Sequence, residues 1–348
     1  MEKIINRTKI GKTYNKLIQV AILALTYGFI YDQVFYRKNL PDILDAVSED
    51  LGRSGFLWNL GLVILLMFLN WAIEAVKWQY LMAKIERISF WKSYQAILTG
   101  VTISSFTPNR IGEYFGRVFI LNTASRIEGI LVTILGSMSQ LLITIFTGSI
   151  AMLAFIPLFL TRYWSFSGYL YYILGALVVG FNVLILAFYF NVSFLSTLKE
   201  KILRNGLKRV RKFFRIFAFY HNRELIRVLL YSFVRYLVFS CQFYLLLQLF
   251  GVPVPYPEAL MLISLIYFVM AVIPTIALTE LGIRGSVALY FFGIYFSGTT
   301  IDMDPVNVGI LASSTLLWAI NLGFPSLVGS IFVFRLKFFR KPVNQSGK

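Results

Sequence analysis

Apolar residues run through this chain in blocks separated by short charged stretches, and the blocks set the expected architecture. Uninterrupted apolar runs at about 16–36, 57–78, 127–158, 168–190, 225–250 and 306–334 each reach or exceed the roughly 18 residues that cross a bilayer as a helix. Two further apolar stretches, 93–107 and 258–273, stop at Pro108 and Pro274. Each is roughly 15 residues, too short to cross comfortably, and each leads into a second short helix. Half-length pairs of this kind predict re-entrant hairpins that enter the membrane and return. No period-two alternation of the barrel type is present. The expected fold is an all-α, polytopic membrane protein, one integral domain over 1–348.

Charge placement orients these segments. The N-terminal stretch, the Lys77–Lys92 loop, the segment 199–223 and the tail Arg335–Lys348 are rich in Lys and Arg, whereas Gly251–Pro257 and Ser297–Asp304 hold neither. Six full spans put every basic loop, and both termini, on the cytoplasmic side. The Tyr36–Gly55 loop, expected outside, mixes Arg37, Lys38 and Arg53 with Asp42, Asp45, Glu49 and Asp50. With this topology the hairpins enter from opposite sides. Pro108 and Pro274 each fall about 50 residues after the start of a full span, so the order span, span, hairpin, span occurs twice, inverted the second time. Inverted repeats over roughly 16–160 and 168–334 are therefore expected, as in transporters whose broken helices meet near the midplane.

Composition narrows the function classes. The chain is 58% hydrophobic and 14% charged, against about a quarter charged in a soluble domain. The net charge of +17 would suggest nucleic acid in a soluble protein, but here it sits in interhelical loops and follows from topology. Cys241 is the sole cysteine and His221 the sole histidine, which excludes an intramolecular disulfide, paired catalytic histidines and a multi-histidine metal site. His221 reads as a surface residue and Cys241 as a small hydrophobe. No cofactor is expected. The basic N-terminus and its apolar run lack a small-residue cleavage site and read as an uncleaved first span. Lys199–Arg215 carries eight basic residues against Glu200 alone, with an apolar stripe through Leu203, Leu207, Val210 and Phe214. That pattern predicts an interfacial helix on the anionic inner leaflet, or simply a topology-setting loop.

Charges inside the apolar blocks carry the chemistry. In Thr107-Pro-Asn-Arg-Ile-Gly-Glu-Tyr-Phe-Gly-Arg117, a helix starting just after Pro108 would align Arg110, Glu113 and Arg117 on one face. Its free N–H groups would point at the break, and the two arginines match phosphate oxygens bidentately. An internal ion-pair network without ligand is the competing reading. In Pro274-Thr-Ile-Ala-Leu-Thr-Glu-Leu-Gly-Ile-Arg284, Thr279 can cap a helix whose first turn holds Glu280, and Glu280 is spaced to pair with Arg284. That pair could equally do no more than close the hairpin. Arg235 lies roughly 8 to 16 Å inside the fifth span, deep enough for a role and shallow enough to snorkel. Asn70, Gln140, Gln242 and Asn321 are expected as helix–helix hydrogen-bonding groups. Glu74 and Lys77 are expected as an interfacial pair near the end of the second span.

Pro108, Arg110, Gly112, Glu113 and Arg117 form a Pro-x-Arg-x-Gly-Glu-x-x-x-Arg element. With it the chain resembles the lysylphosphatidylglycerol-synthase transmembrane, or flippase-like, family of membrane proteins. Leu281-Gly282-Ile-Arg284 matches that family's later Gly-Leu-Gly-x-Arg element in part: relatives carry glycines where Leu278–Glu280 stands and an acid where this chain has Gly285. The resemblance implies a bacterial inner-membrane protein that moves a lipid between leaflets. The reading of the charges adds that Arg110, Glu113, Arg117, Arg235, Glu280 and Arg284 contact its headgroup, the expected lipid being phosphate-bearing, a modified phospholipid or a polyprenyl-phosphate carrier. In larger relatives a soluble aminoacyl-transfer domain follows. This sequence stops at Lys348, just after the last span, so lipid aminoacylation is not expected of it. Two rivals from other classes are a membrane enzyme acting on lipid phosphates, with Glu113 or Glu280 as base, and a non-transporting accessory to a synthase.

Overall fold

The computed structural model describes residues 55–107, 110–159, 168–191, 219–273 and 277–334, with backbone alone at 277–279, and some positions between 14 and 28. Every regular element among them is helical. The helices, in chain order, are α1 (Phe56–Met82), α2 (Phe90–Ser104), α3 (Gly112–Val118), α4 (Arg126–Phe159), α5 (Gly168–Phe190), α6 (Asn222–Leu249), α7 (Tyr256–Val272), α8 (Ala277–Phe296), α9 (Met303–Trp318) and α10 (Phe324–Val333). A π-helical turn, Ala319–Gly323, makes α9 and α10 one continuous rod. Among the described residues five rods are long and apolar enough to cross a membrane: α1, α4, α5, α6 and α9–α10. Their limits follow the apolar runs closely because nothing inside those runs stops a helix. The expected first span is helical at its described positions, and the remainder lies outside the described residues. So do the segment Lys199–Arg215, the Tyr36–Arg53 loop and the tail from Arg335.

Local sequence accounts for most helix ends. Ser89 caps α2 by accepting a hydrogen bond from the Lys92 backbone N–H at 3.4 Å, and Asp302 caps α9 through the Asp304 N–H. Pro255 precedes α7, with a second proline in its first turn. Solvent-exposed His221 precedes α6, its backbone N–H donating to Glu224.

Packing separates helices that face lipid from helices that hold the core. In α5 only Asn182 and Tyr189 are buried. A helix apolar on all sides fits hydrocarbon on most of its circumference, and Asn182 ties this one to Ser149 of α4 at 2.9 Å. The core is α1, α4, α6, α7 and the α9–α10 rod, joined by further interhelical hydrogen bonds of the kind lipid favours. Trp78 Nε1 donates to Thr133 Oγ1 at 3.0 Å, Gln242 to the Val63 carbonyl at 2.9 Å, and Tyr236 pairs with Ser264 at 2.6 Å.

The two proline-broken stretches differ from one another. After α2 the chain turns back into α3, which has only seven residues. α8 has 20, about 30 Å of helix, so the expectation of a short returning helix holds for the first hairpin and fails for the second. Glu280 and Arg284 at its start are both buried and paired within the protein, and the helix continues to Phe296. The first hairpin closes on glycine. A Cβ on Gly116 would lie 2.7 Å from the Gly100 Cα, and one on Gly112 would lie 2.5 Å from the Ile103 carbonyl oxygen, so α2 and α3 touch backbone to backbone.

At the end of α1, the Glu86 carboxylate gathers the backbone N–H groups of Asn122, Thr123 and Ala124 at 2.8–3.1 Å, together with the Thr123 hydroxyl. Partial burial opposes its charge, and these donors outweigh that effect, bringing its pKa down to about 2.

Candidate functional site

Asn70, Glu74 and Lys77 recur at four and three along α1 and so share one face of it. Their side chains are buried, which charged groups tolerate only when paired. Glu74 supplies the pairing. One carboxylate oxygen accepts from Arg117 Nη1 of α3 at 2.8 Å. The other lies 2.7 Å from Lys77 Nζ and 3.3 Å from Arg235 Nη1 of α6. Lys77 also donates to the Gly136 carbonyl of α4 at 3.2 Å and to Ser232 of α6 at 3.3 Å. Arg117 pairs in addition with Glu113, one turn before it. The expected Glu74–Lys77 pair therefore forms, but inside the helix packing rather than at an interfacial rim. The four-and-three spacing of Asn70, Glu74 and Lys77 was the signal that could have found it.

Arg235 connects this network to a second one. Its Nε donates to Asn70 Oδ1 at 2.9 Å, Nη1 lies 3.4 Å from Gln140 Oε1, and its guanidinium stands 5.2 Å from the Trp71 ring centre. Asn70 passes the relay to Asn321 Oδ1 at 3.2 Å. Asn321 sits in the π-helical turn. Of the four neutral polar residues expected between helices, Asn70, Gln140, Gln242 and Asn321 all make such bonds, and all but Gln242 also face a cavity.

That cavity, about 490 Å³, opens between the two proline-broken stretches. Arg110, Arg235, Arg284 and Glu280 give its wall three cations and one carboxylate, with Tyr267 and Met270 among its apolar surfaces. Arg110 Nη2 reaches both Glu280 oxygens, at 2.8 and 2.9 Å, and Arg284 pairs with the same carboxylate from one turn along α8. Residues 170 positions apart are thus joined across the cavity.

Two expectations need correction. Arg110 does not share a helix face with Glu113 and Arg117, because α3 begins only at Gly112 and Arg110 precedes it in the left-handed region at φ 55°. The Gly112 N–H at that helix start is also taken, by Thr107 Oγ1 at 2.8 Å, and so does not point free at the break. Glu113 and Arg117 consequently stand behind the cavity, in the Glu74 network, while Arg110, Arg235, Glu280 and Arg284 line it. The Thr279 side chain lies outside the described residues. No group of three or more metal-ligating side chains occurs among the described residues.

The described residues form an all-helical membrane body in which the short helix α3 carries Gly112, Glu113 and Arg117. Residues 17–301 match the family described as the lysylphosphatidylglycerol synthase TM region. The chain belongs to this family. Membership in the lysylphosphatidylglycerol synthase TM region family covers α1 to α8 and links this multi-pass membrane protein to lipid handling. Among curated proteins, none matches the chain.

Proposed function

We propose that this protein is a flippase-like translocator: a phosphate-bearing lipid keeps its tails in the bilayer while its headgroup crosses through the cavity, without chemical change. The observation that carries this reading is the wall of three arginines and one glutamate inside a largely apolar helical body. An anion at bilayer depth costs several kcal/mol unless fixed countercharge meets it, and guanidinium forks are suited to phosphate oxygens. Apolar side chains exposed on α1, α5 and α6 suit contact with lipid tails. The site in this reading is Arg110, Arg235, Glu280 and Arg284, with Glu113 and Arg117 holding the first hairpin in position. A bacterial inner membrane with both chain termini in the cytoplasm is part of the same proposal.

The test is translocation of headgroup-labelled anionic phospholipids in proteoliposomes, comparing wild type with Arg235→Gln. Protein-dependent movement that falls at least tenfold in the variant, with the variant still folded at the assay temperature, is the expected result. Folded wild type that moves none of these lipids overturns the proposal. Chemical change of the lipid by purified protein would instead favour an enzyme.

A further inference from the structure

The charges gathered at the cavity do not cancel. Around the cavity and directly behind it are five cations, Lys77, Arg110, Arg117, Arg235 and Arg284, and three carboxylates, Glu74, Glu113 and Glu280. Each cation has a carboxylate partner, but the partners are shared. Glu74 serves Lys77, Arg117 and Arg235, and Glu280 serves Arg110 and Arg284. The formal sum is five minus three, or +2, in a region where uncompensated charge is costly. Of the five cations, Arg110, Arg235 and Arg284 reach the cavity wall.

Hydrogen-bond capacity points the same way. Two buried donors on that wall, Trp71 Nε1 and Arg284 Nε, have no hydrogen-bond acceptor among the described residues. Gln140 and Asn70 present their side-chain oxygens to Arg235, so acceptors there are already engaged. The wall is rich in donors and positive by two charges, and the group that matches it is rich in acceptors and negative by two.

We infer that the cavity selects a phosphate monoester dianion and disfavours aminoacylated headgroups. For a lipid source, this rests on the translocator reading. A terminal phosphate monoester carries about −2 above its second pKa of about 6 and brings the site to neutrality. A phosphodiester such as phosphatidylglycerol carries one charge and leaves an excess of one. Lysyl-phosphatidylglycerol, with one phosphate and two ammonium groups, carries a net positive charge and enlarges the excess, bringing its ammonium groups beside three guanidinium groups.

The test is equilibrium binding of the full chain in detergent to radiolabelled short-chain phosphatidate, phosphatidylglycerol and lysyl-phosphatidylglycerol. Phosphatidate is expected to bind at least tenfold tighter than phosphatidylglycerol, with the lysyl lipid weakest, and its advantage should shrink as pH falls below about 6. Gln140→Glu, nearly isosteric and beside Arg235, lowers the excess by one and should reduce the phosphatidate preference about tenfold with folding intact. Equal binding of the three lipids, or preference for the lysyl lipid, overturns the inference while leaving translocation standing. Phosphatidate bound but never moved in proteoliposomes overturns translocation and leaves the charge selection standing. A hundredfold excess of glycerol 3-phosphate should fail to displace phosphatidate. Displacement would overturn the lipid source and assign the site to a soluble phosphate ester.

Discussion

Arg110 and Glu280 close one face of the cavity by a two-oxygen contact, with the Arg110 Nη2 at 2.8 and 2.9 Å from the two carboxylate oxygens. The arginine belongs to the break before α3 and the glutamate to the first turn of α8, so the contact joins the two hairpins. Its Arg110 side chain is 40% exposed, and that exposure limits its worth to on the order of 1 kcal/mol. Such a contact can hold the hairpins together and still be exchanged for another anion.

Breaking that contact should therefore alter separation more than stability. In Arg110→Gln, spin labels placed on α3 and α8 are expected to show a broader and longer distance distribution by electron–electron resonance, with the melting temperature nearly unchanged. An unchanged distribution would show that the hairpins are held by other packing.

Glu74 is expected to behave in the opposite way. Glu74→Gln leaves Lys77 and Arg117, at 1% and 3% exposure, short of their shared carboxylate, and breaking a buried pair from one side costs about 3–5 kcal/mol. A large fall in thermal stability in detergent should follow. Glu74→Gln combined with Lys77→Met should recover part of it, since the uncompensated ammonium is then gone. Additive losses in the double variant would argue against direct coupling.

Gly116→Ala tests the backbone contact of the first hairpin. The new methyl would press on the Gly100 Cα, and relief requires α2 and α3 to move apart, at a cost of about 1–3 kcal/mol. Because a Cβ on Gly100 would meet Arg117 Cγ at 3.0 Å, the same separation displaces the arginine from Glu74. A stability loss accompanied by weaker anion binding is the expected pair of results, measured by melting and by phosphatidate titration.

The Glu86 clamp gives a pH dependence with a defined sign. Its pKa is lowered from 4.5 to about 2 in the folded protein, so its contribution is fully present above pH 4.5 and fades as pH falls toward about 2. Glu86→Gln should flatten the stability profile over that window and leave it unchanged in shape at neutral pH. Melting temperatures of both proteins between pH 2 and 7 would decide it.

Long apolar runs were enough to find α1, α4, α5, α6 and the α9–α10 rod, since hydropathy over 20 residues is a local property. Polar partnership is not local. Glu74 and Lys77 were legible as a pair from their spacing, but only the reach of Arg117 from α3 and Arg235 from α6 to Glu74 turns that pair into the centre of a five-charge network. Arg110 shows the reverse error. Helical spacing aligned it with Glu113 and Arg117, while the break that Pro108 signals extended past Arg110 and sent its side chain to Glu280. Glu280 and Arg284, spaced for mutual pairing, do pair, and the contact each could make outside α8 was not written in its own segment.

The π-helical turn at Ala319–Gly323 holds one residue more than an α-helix of the same height would need. That surplus is stored slack in the rod. Converting the turn to α geometry would rotate everything beyond it by about 100° and shift it by about 1.5 Å. Ser326 lies just past the turn, its carbonyl accepting from Thr102 at 2.8 Å and its hydroxyl bonded to Ser105 at 2.6 Å. Those two bonds tie the rod to the first hairpin just beyond the turn. While they hold, Asn321 keeps its place at the cavity, and any rewinding of the rod must first release Ser326 from the first hairpin.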